Sequence, residues 1–352
     1  MSAITFGRTG LALLAAVSLL ATVPVRAADL AVSVFISPIG EVLKKDVLEP
    51  YRKQSGVDLR IDSRDWGLGS VRAKVEAGGA DWDIVTNEET EVLQGCDEGV
   101  FAEIDKSRLP GLADFDKIGE SYKCGVPFIF YSSVLAYDKK KLKELPSSWA
   151  DLWDRAKWPG RRAMRKSPVQ TLEVALMADG VARGDVYKLL ATKAGVDRAF
   201  RKLDEIKPDI VWWVNAGQSR QLLASGEVVM GMSYDNGIAF FNKTQGTDFG
   251  MSRKDAILLT DFWSIVRGSR HVDSAYKFLN YAMRPEVQAA VTNGLAISTP
   301  NRKAMAFVNP DWKPFLTPNP DVLQDAIPLD AEFWVNNADE LTRRFDAWLA
   351  AR

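Results

Sequence analysis

The chain of 352 residues contains one histidine and two cysteines. A single histidine, His271 in "RGSRHVD", excludes a multi-histidine metal site and disfavours a Ser-His-Asp triad. A histidine placed just before a helix is expected to sit on the surface. There is no G-x-S-x-G elbow, no H-E-x-x-H, no Walker loop and no complete G-x-G-x-x-G; "GLG" at 67–69 is only a turn. Carboxylate pairs abound, but none has a distinctive spacing. A net charge of −1 leaves no basic field for nucleic acid. The one basic run, "KKKLK" (139–143), is expected to be a solvated helix face. No repeat of fixed period, low-complexity segment or Gly/Ser tether stands out.

Long apolar runs are also missing, except at the start. "MSAITFGRTGLALLAAVSLLATVPVRA" (1–27) has an early arginine, an apolar stretch from Leu11 to Val25, and a small-x-small ending at Val25-Arg26-Ala27. It fits a secretory signal cleaved near Ala27 better than an uncleaved anchor. Removing Arg8 and Arg26 takes the net charge from −1 to −3. The remaining chain, about 325 residues, is expected to be exported and soluble, and too long for one ordinary core. In an oxidising compartment Cys96 and Cys124 are expected to pair, closing a loop of about 28 residues; two buried thiols are the alternative.

What is present is an alternation of strands and helices. "LAVSVFIS" (30–37), "VDLRID" (57–62) and "WDIVTN" (82–87) are strand-like. Between and after them lie helices from Ile39 to Gly56, over 70–79, and from Glu89. This β-α-β-α-β order, with short connections, implies a largely parallel sheet flanked by helices. "GVPFIFYSSVLAYD" (125–138) and "AILLTDFWSIVRG" (256–268) are long enough to pass from one lobe to another. Between them lies a second α/β unit. It contains a capping box at Ser148/Asp151, a strand in "GRRAMRK", and a helix starting with Ser167 as N-cap and Pro168 at N1 and ending at Gly180. It continues with a strand at 210–214, a helix at 218–226 and a strand at 227–234. "KFLNYAMRPEVQAAVTNGLAISTPN" (277–301) supplies two more helices, with Arg284-Pro285 at the corner and Gly294 as the stop.

The expected fold is therefore α/β with two lobes, each a mixed, mostly parallel sheet. One lobe comprises 28–137 with 264–300, and the other 138–263 with 301–352. Strand crossovers suggest hinge closure over a cleft. Eleven tryptophans are present. Those near strand ends or turns (Trp66, Trp82, Trp212, Trp213, Trp263 and Trp334) are candidates either for core packing or for walling such a cleft.

Three segments, "SSWADLWDRAKWPGRRAM", "GEVVMGMSYDNGIAFFN" and "AYKFLNYAMRPEVQAAVTNGLAISTPN", resemble the periplasmic spermidine/putrescine-binding proteins of ABC importers. "FAEIDKSRLPGL" (101–112) does so too. Order and spacing match over nearly the whole chain after residue 27. The resemblance implies a periplasmic, non-enzymatic binding protein that works with ABC permease subunits, needs no cofactor or metal, binds no nucleic acid and is a monomer. By position, Asp261 matches the family's central cleft aspartate, and Asn87 the polar residue after the third strand. Tyr234 stands where a cleft tryptophan is usual, with Asp235 after it. Ser37 lies at the end of the first strand, and Trp334 is a further cleft candidate.

Other matches fail. Ser167 and Gln170 stand where acids are frequent, behind Arg165 and Lys166; Ile297 and Leu259 replace aromatics. One acid facing a base suits a zwitterion: Asp261 or Asp235 for an ammonium, Arg165 or Arg220 for a carboxylate, aided by the helix N-terminus at Ser167. The alternative is that both arginines point to solvent. The expected ligand is putrescine or spermidine first, then a zwitterion such as 4-aminobutyrate. A secreted carboxylate-dependent hydrolase is the competing reading from another class, and an adhesion or structural exoprotein fits less well.

Overall fold

The computed structural model describes residues 29–78, 81–117, 122–316 and 325–351. The expected signal segment, 1–27, lies outside them.

Strands β1 (Leu30–Phe35), β2 (Leu59–Arg64) and β3 (Ile84–Glu88) form one parallel group, with β1 central. Every residue of β1 is buried, as expected of a strand covered on both faces. Strands β5 (Arg162–Arg165), β6 (Ile210–Trp213) and β7 (Met230–Tyr234) form a second parallel group around β5. The groups are joined by two long antiparallel strands, β4 (Val126–Asp138) and β8 (Phe249–Ile265). The result is one continuous sheet in the order β2-β1-β3-β8-β4-β7-β5-β6, with the short β9 (Ile327–Pro328) on β8. At about 3.3 Å per residue, β8 is long enough to serve both groups.

The covering helices are α1 (Pro38–Leu43), α2 (Glu49–Ser55), α3 (Gly69–Glu76), α4 (Glu89–Asp97), α5 (Pro168–Ala178), α6 (Val186–Leu190) and α7 (Lys193–Asp204). They continue with α8 (Ala216–Ser225), α9 (Asp235–Gln245), α10 (Val272–Ala282), α11 (Pro285–Leu295) and α12 (Ala331–Ala350). Their apolar faces fill two main cores. One gathers Val34, Trp263, Phe278 and Leu295; the other gathers Trp149, Met164, Trp213 and Trp334. Tyr131, midway along β4, packs against both. Cys96, at the end of α4, is joined to Cys124 by a disulfide.

Three local expectations need correction. Residues 139–143 form a turn and coil after β4 rather than a helix face. Gly294 does not stop α11: the helix continues to Leu295, and Ala296 takes the left-handed conformation at φ 53°. Gly294 instead allows close approach, since a Cβ there would come within 2.8 Å of Val42 Cγ1. His271 does stand at the surface before α10, and its Nδ1 lies 3.1 Å from Oδ2 of the buried Asp83. The helix expected to start at Pro168 is broken there. Val169 is extended and Gln170 has φ 71°, so regular α5 begins only after Gln170.

Candidate functional site

In open α/β sheets, ligands bind beyond the carboxyl ends of strands, where the connections diverge. β3 ends at Glu88 and β5 at Arg165, on opposite sides of the central β8–β4 pair. Between them lies a partly open cavity of about 290 Å³, near the lower end of the range for small-molecule sites. Glu88, Glu89 and Thr90 line it from the first parallel group. Arg165 and Val169 line it from the second. Tyr131 and Asp261 come from the central strands, and Leu329, Trp334, Val335, Ala338 and Asp339 from β9's end and α12. A wider, open groove of about 1600 Å³ borders the same Glu89, Leu329 and Val335. It contains neither Asp261 nor Arg165, so the smaller cavity is the better candidate.

Asp261 dominates the electrostatics. It is 1% exposed, and neither of its carboxyl oxygens has a hydrogen-bond partner. Burial raises it well above the usual carboxylate range, and Glu88, Glu89 and Glu91 push it the same way; the Tyr131 side chain acts in the opposite sense. Burial likewise pushes Glu88 up to about 7, against the pull of Arg165. Glu89 is raised well above its ordinary value by burial, and its Oε2 is unpartnered. Arg165 is held firmly charged, chiefly by the Tyr234 side chain, with Glu88 adding to it.

The wall behind the ligand space is fixed by buried hydrogen bonds. Trp334 Nε1 donates to Glu173 Oε1 at 2.7 Å, and the Tyr187 hydroxyl donates to the same oxygen at 3.1 Å. Glu173 is fully buried and raised to about 7 by desolvation. On the other side, Arg64 Nη2 donates to Glu91 Oε2 at 2.8 Å and to Asn87 Oδ1 at 2.9 Å, anchoring the start of α4.

Of the residues singled out in the sequence, the structure brings Arg165, Asp261 and Trp334 to the cavity. The others lie elsewhere. Ser37 caps α1 by accepting from Gly40 N. Asn87 is fully buried and taken up by Arg64. Ser167 Oγ accepts from Val169 N within the kinked turn, so no regular helix N-terminus stands at Ser167 to hold an anion. Gln170 is buried, its Nε2 3.5 Å from the Tyr234 hydroxyl and its Oε1 unpartnered. Tyr234 stacks edge-on to Tyr131 beside the cavity. Asp235 accepts from Ser132 N and Asn236 N, a structural role. Arg220 packs against Gly237. Ile297 and Leu259 belong to the two cores. Ile297 is not among the residues that line the cavity, so its departure from an aromatic does not alter the lining.

Sequence reasoning missed Glu88, Glu89 and Tyr131. The available signal was the acidic "NEETE" run directly after a buried strand, at the position where such sheets bind ligands. Among the described residues no group of three or more His, Cys, Asp or Glu is arranged to hold a metal ion. No helix among them is long and apolar enough to cross a membrane.

Residues 46–318 match the family model for the bacterial extracellular solute-binding protein. The chain belongs to that family. This solute-binding protein is 37% identical over 302 residues to the gamma-aminobutyric acid-binding protein of Pseudomonas aeruginosa, covering 86% of this chain and 85% of that one. It is 27% identical to the putrescine/cadaverine-binding protein of the same organism, covering 81% and 84%. A solved GABA receptor structure superposes with a TM-score of 0.82 at 28% identity, covering 92% of this chain and 98% of the other. The solute-binding protein thus has the two-lobed fold of ABC-transporter substrate-binding proteins and is not an enzyme.

Proposed function

We propose that this chain captures a small zwitterionic amine of the ω-amino-acid type, with 4-aminobutyrate as the type compound, and presents it to the permease of an ABC importer. The observation that carries this reading is the presence of a base and an acid in one cavity: Arg165 and the unpartnered Asp261 both line it. A guanidinium takes a carboxylate in a bidentate fork, and a buried carboxylate takes an ammonium. Trp334 offers an apolar face for the methylenes between. The relative with gamma-aminobutyric acid in its name supports the same ligand. We further propose that the protein acts as a periplasmic monomer once residues 1–27 are removed, closing its lobes over the ligand by bending at β4 and β8.

A diamine is the second reading. It is favoured by the acidic excess around the cavity, where Glu88, Glu89 and Asp261 face Arg165, and by the putrescine/cadaverine-binding relative. A melting screen separates the two. A ligand that prefers the folded state raises Tm, so 4-aminobutyrate should give the largest shift among 4-aminobutyrate, putrescine and spermidine. No shift with any of the three would overturn the amine reading. A larger shift with putrescine would move the assignment to the diamine.

A further inference from the structure

The cavity holds more acid than a resting site can keep charged. Four acidic side chains line it, Glu88, Glu89, Asp261 and Asp339, and Arg165 is the one basic side chain among the lining residues. Glu88 stands opposite Asp261 across the β3–β8 ladder, so their side chains leave the same face of the sheet. Asp261 is 1% exposed with both oxygens unpartnered, and Glu89 is 7% exposed with Oε2 unpartnered. A charged carboxylate buried without a cation is strongly unfavourable, and a bound proton removes that cost.

We propose that this is a proton-exchanging cation site: when empty it stores protons on Asp261 and Glu89, and an entering ammonium group expels one of them. The proposal rests on the amine reading above. The balance is simple. The carboxyl gives its proton to solvent and its carboxylate becomes the counter-ion of the ammonium, so the charge at that position is unchanged; the carboxylate of a zwitterionic ligand is balanced separately by Arg165. The ligand supplies the positive charge that the proton supplied before.

Groups on every packed element shape this exchange. Glu88 on β3, and Glu89 and Glu91 on α4, oppose ionisation of Asp261, although Arg64 already pairs with Glu91. Tyr131 on β4 favours it. Arg165 on β5 acts mainly through Glu88, and Tyr234 on β7 faces Arg165. Asp339 on α12 also lines the space. Glu89 in turn meets Thr260 of β8 and Glu88. The consequence is directional. Amine affinity should rise with pH, by up to about tenfold per unit where one proton is released per ligand.

The test has a ligand-free arm and a ligand arm, both on the protein lacking residues 1–27. Infrared spectra at pH 7 should show the carbonyl stretch of protonated carboxyl groups in the empty protein. The Asp261→Asn and Glu89→Gln variants should each lose part of it. Absence of that band, or a band unchanged in both variants, overturns the proposal. In the second arm, titration calorimetry with 4-aminobutyrate and with putrescine is run in phosphate and in Tris. The difference in heats should report close to one proton released per ligand. Binding with equal heats overturns the exchange. A band present and reduced in the variants upholds the stored protons even where neither amine shifts Tm; there the ligand reading of the previous section is what fails.

Discussion

Glu88 and Asp261 are register partners across the antiparallel β3–β8 ladder, which places a half-buried carboxyl group beside a fully buried one. Like charges opposite each other on a sheet face destabilise it. The arrangement is therefore explained by what it waits for rather than by what it contributes to the empty fold. An ammonium group between the strands would relieve it.

Asp261→Asn should consequently weaken 4-aminobutyrate binding by about 2 to 5 kcal/mol, the range for loss of one partner of a buried charge pair. Calorimetry on the purified variant checks this. An affinity within twofold of the parent would place the ammonium elsewhere. Glu88→Gln should cost less, because Glu88 already faces Arg165.

Arg165→Met discriminates by ligand class. A ligand with a carboxylate loses its bidentate partner, whereas a diamine loses a repulsive neighbour. The variant should lose 4-aminobutyrate by about tenfold or more while holding or gaining putrescine. Parallel losses for both ligands would mean that Arg165 supports the cavity wall without contacting the carboxylate.

These two residues were legible before the structure through the resemblance to polyamine-binding proteins, which set Asp261 in "LLTDFWS" and Arg165 in "RRAMRK" at cleft positions. Glu88 and Glu89 were not. A glutamate at the end of a strand reads as solvated unless the facing elements are known, and here α12 covers them from more than 200 residues away. Ser37, Asn87 and Asp235 were placed near strand ends by pattern, but their side chains are spent on a cap, on Arg64 and on backbone amides. The strand and helix order was readable from apolar periodicity and from glycines such as Gly56 and Gly226, both left-handed C-caps. The backbone reversals at Gln170 and Ala296 carry no such mark, because tertiary packing imposes them on residues without a preference for positive φ.

The Cys96–Cys124 disulfide ties the end of α4, whose first residue is Glu89, to the segment leading into β4. With the two cysteines 28 positions apart in sequence, the chain-entropy model assigns it about 3 to 4 kcal/mol. Reduction, or replacement of both cysteines by serine, should lower Tm by roughly 5–10 °C. An unchanged melting curve under reducing conditions would show that α4 is held by its packing alone.

Glu173 gives a pH dependence of stability whose sign is fixed by its position. It is fully buried and raised from 4.5 to about 7 by desolvation, while Trp334 and Tyr187 donate to one of its oxygens. The folded state therefore binds its proton more tightly than the unfolded chain does. The resulting stability is fully present below pH ~4.5 and is lost as pH rises through about 7. Glu88 adds a contribution of the same sign over the same window. From pH 5 to 8 the ligand-free protein should lose up to about 3 kcal/mol for each group. Glu173→Gln keeps an acceptor for the Trp334 indole but has no proton to lose. It should flatten this slope and melt higher than the parent at pH 8. A denaturant series at pH 5, 6.5 and 8 measures it, and an identical slope in the variant would assign the pH dependence to Glu88 and its neighbours instead.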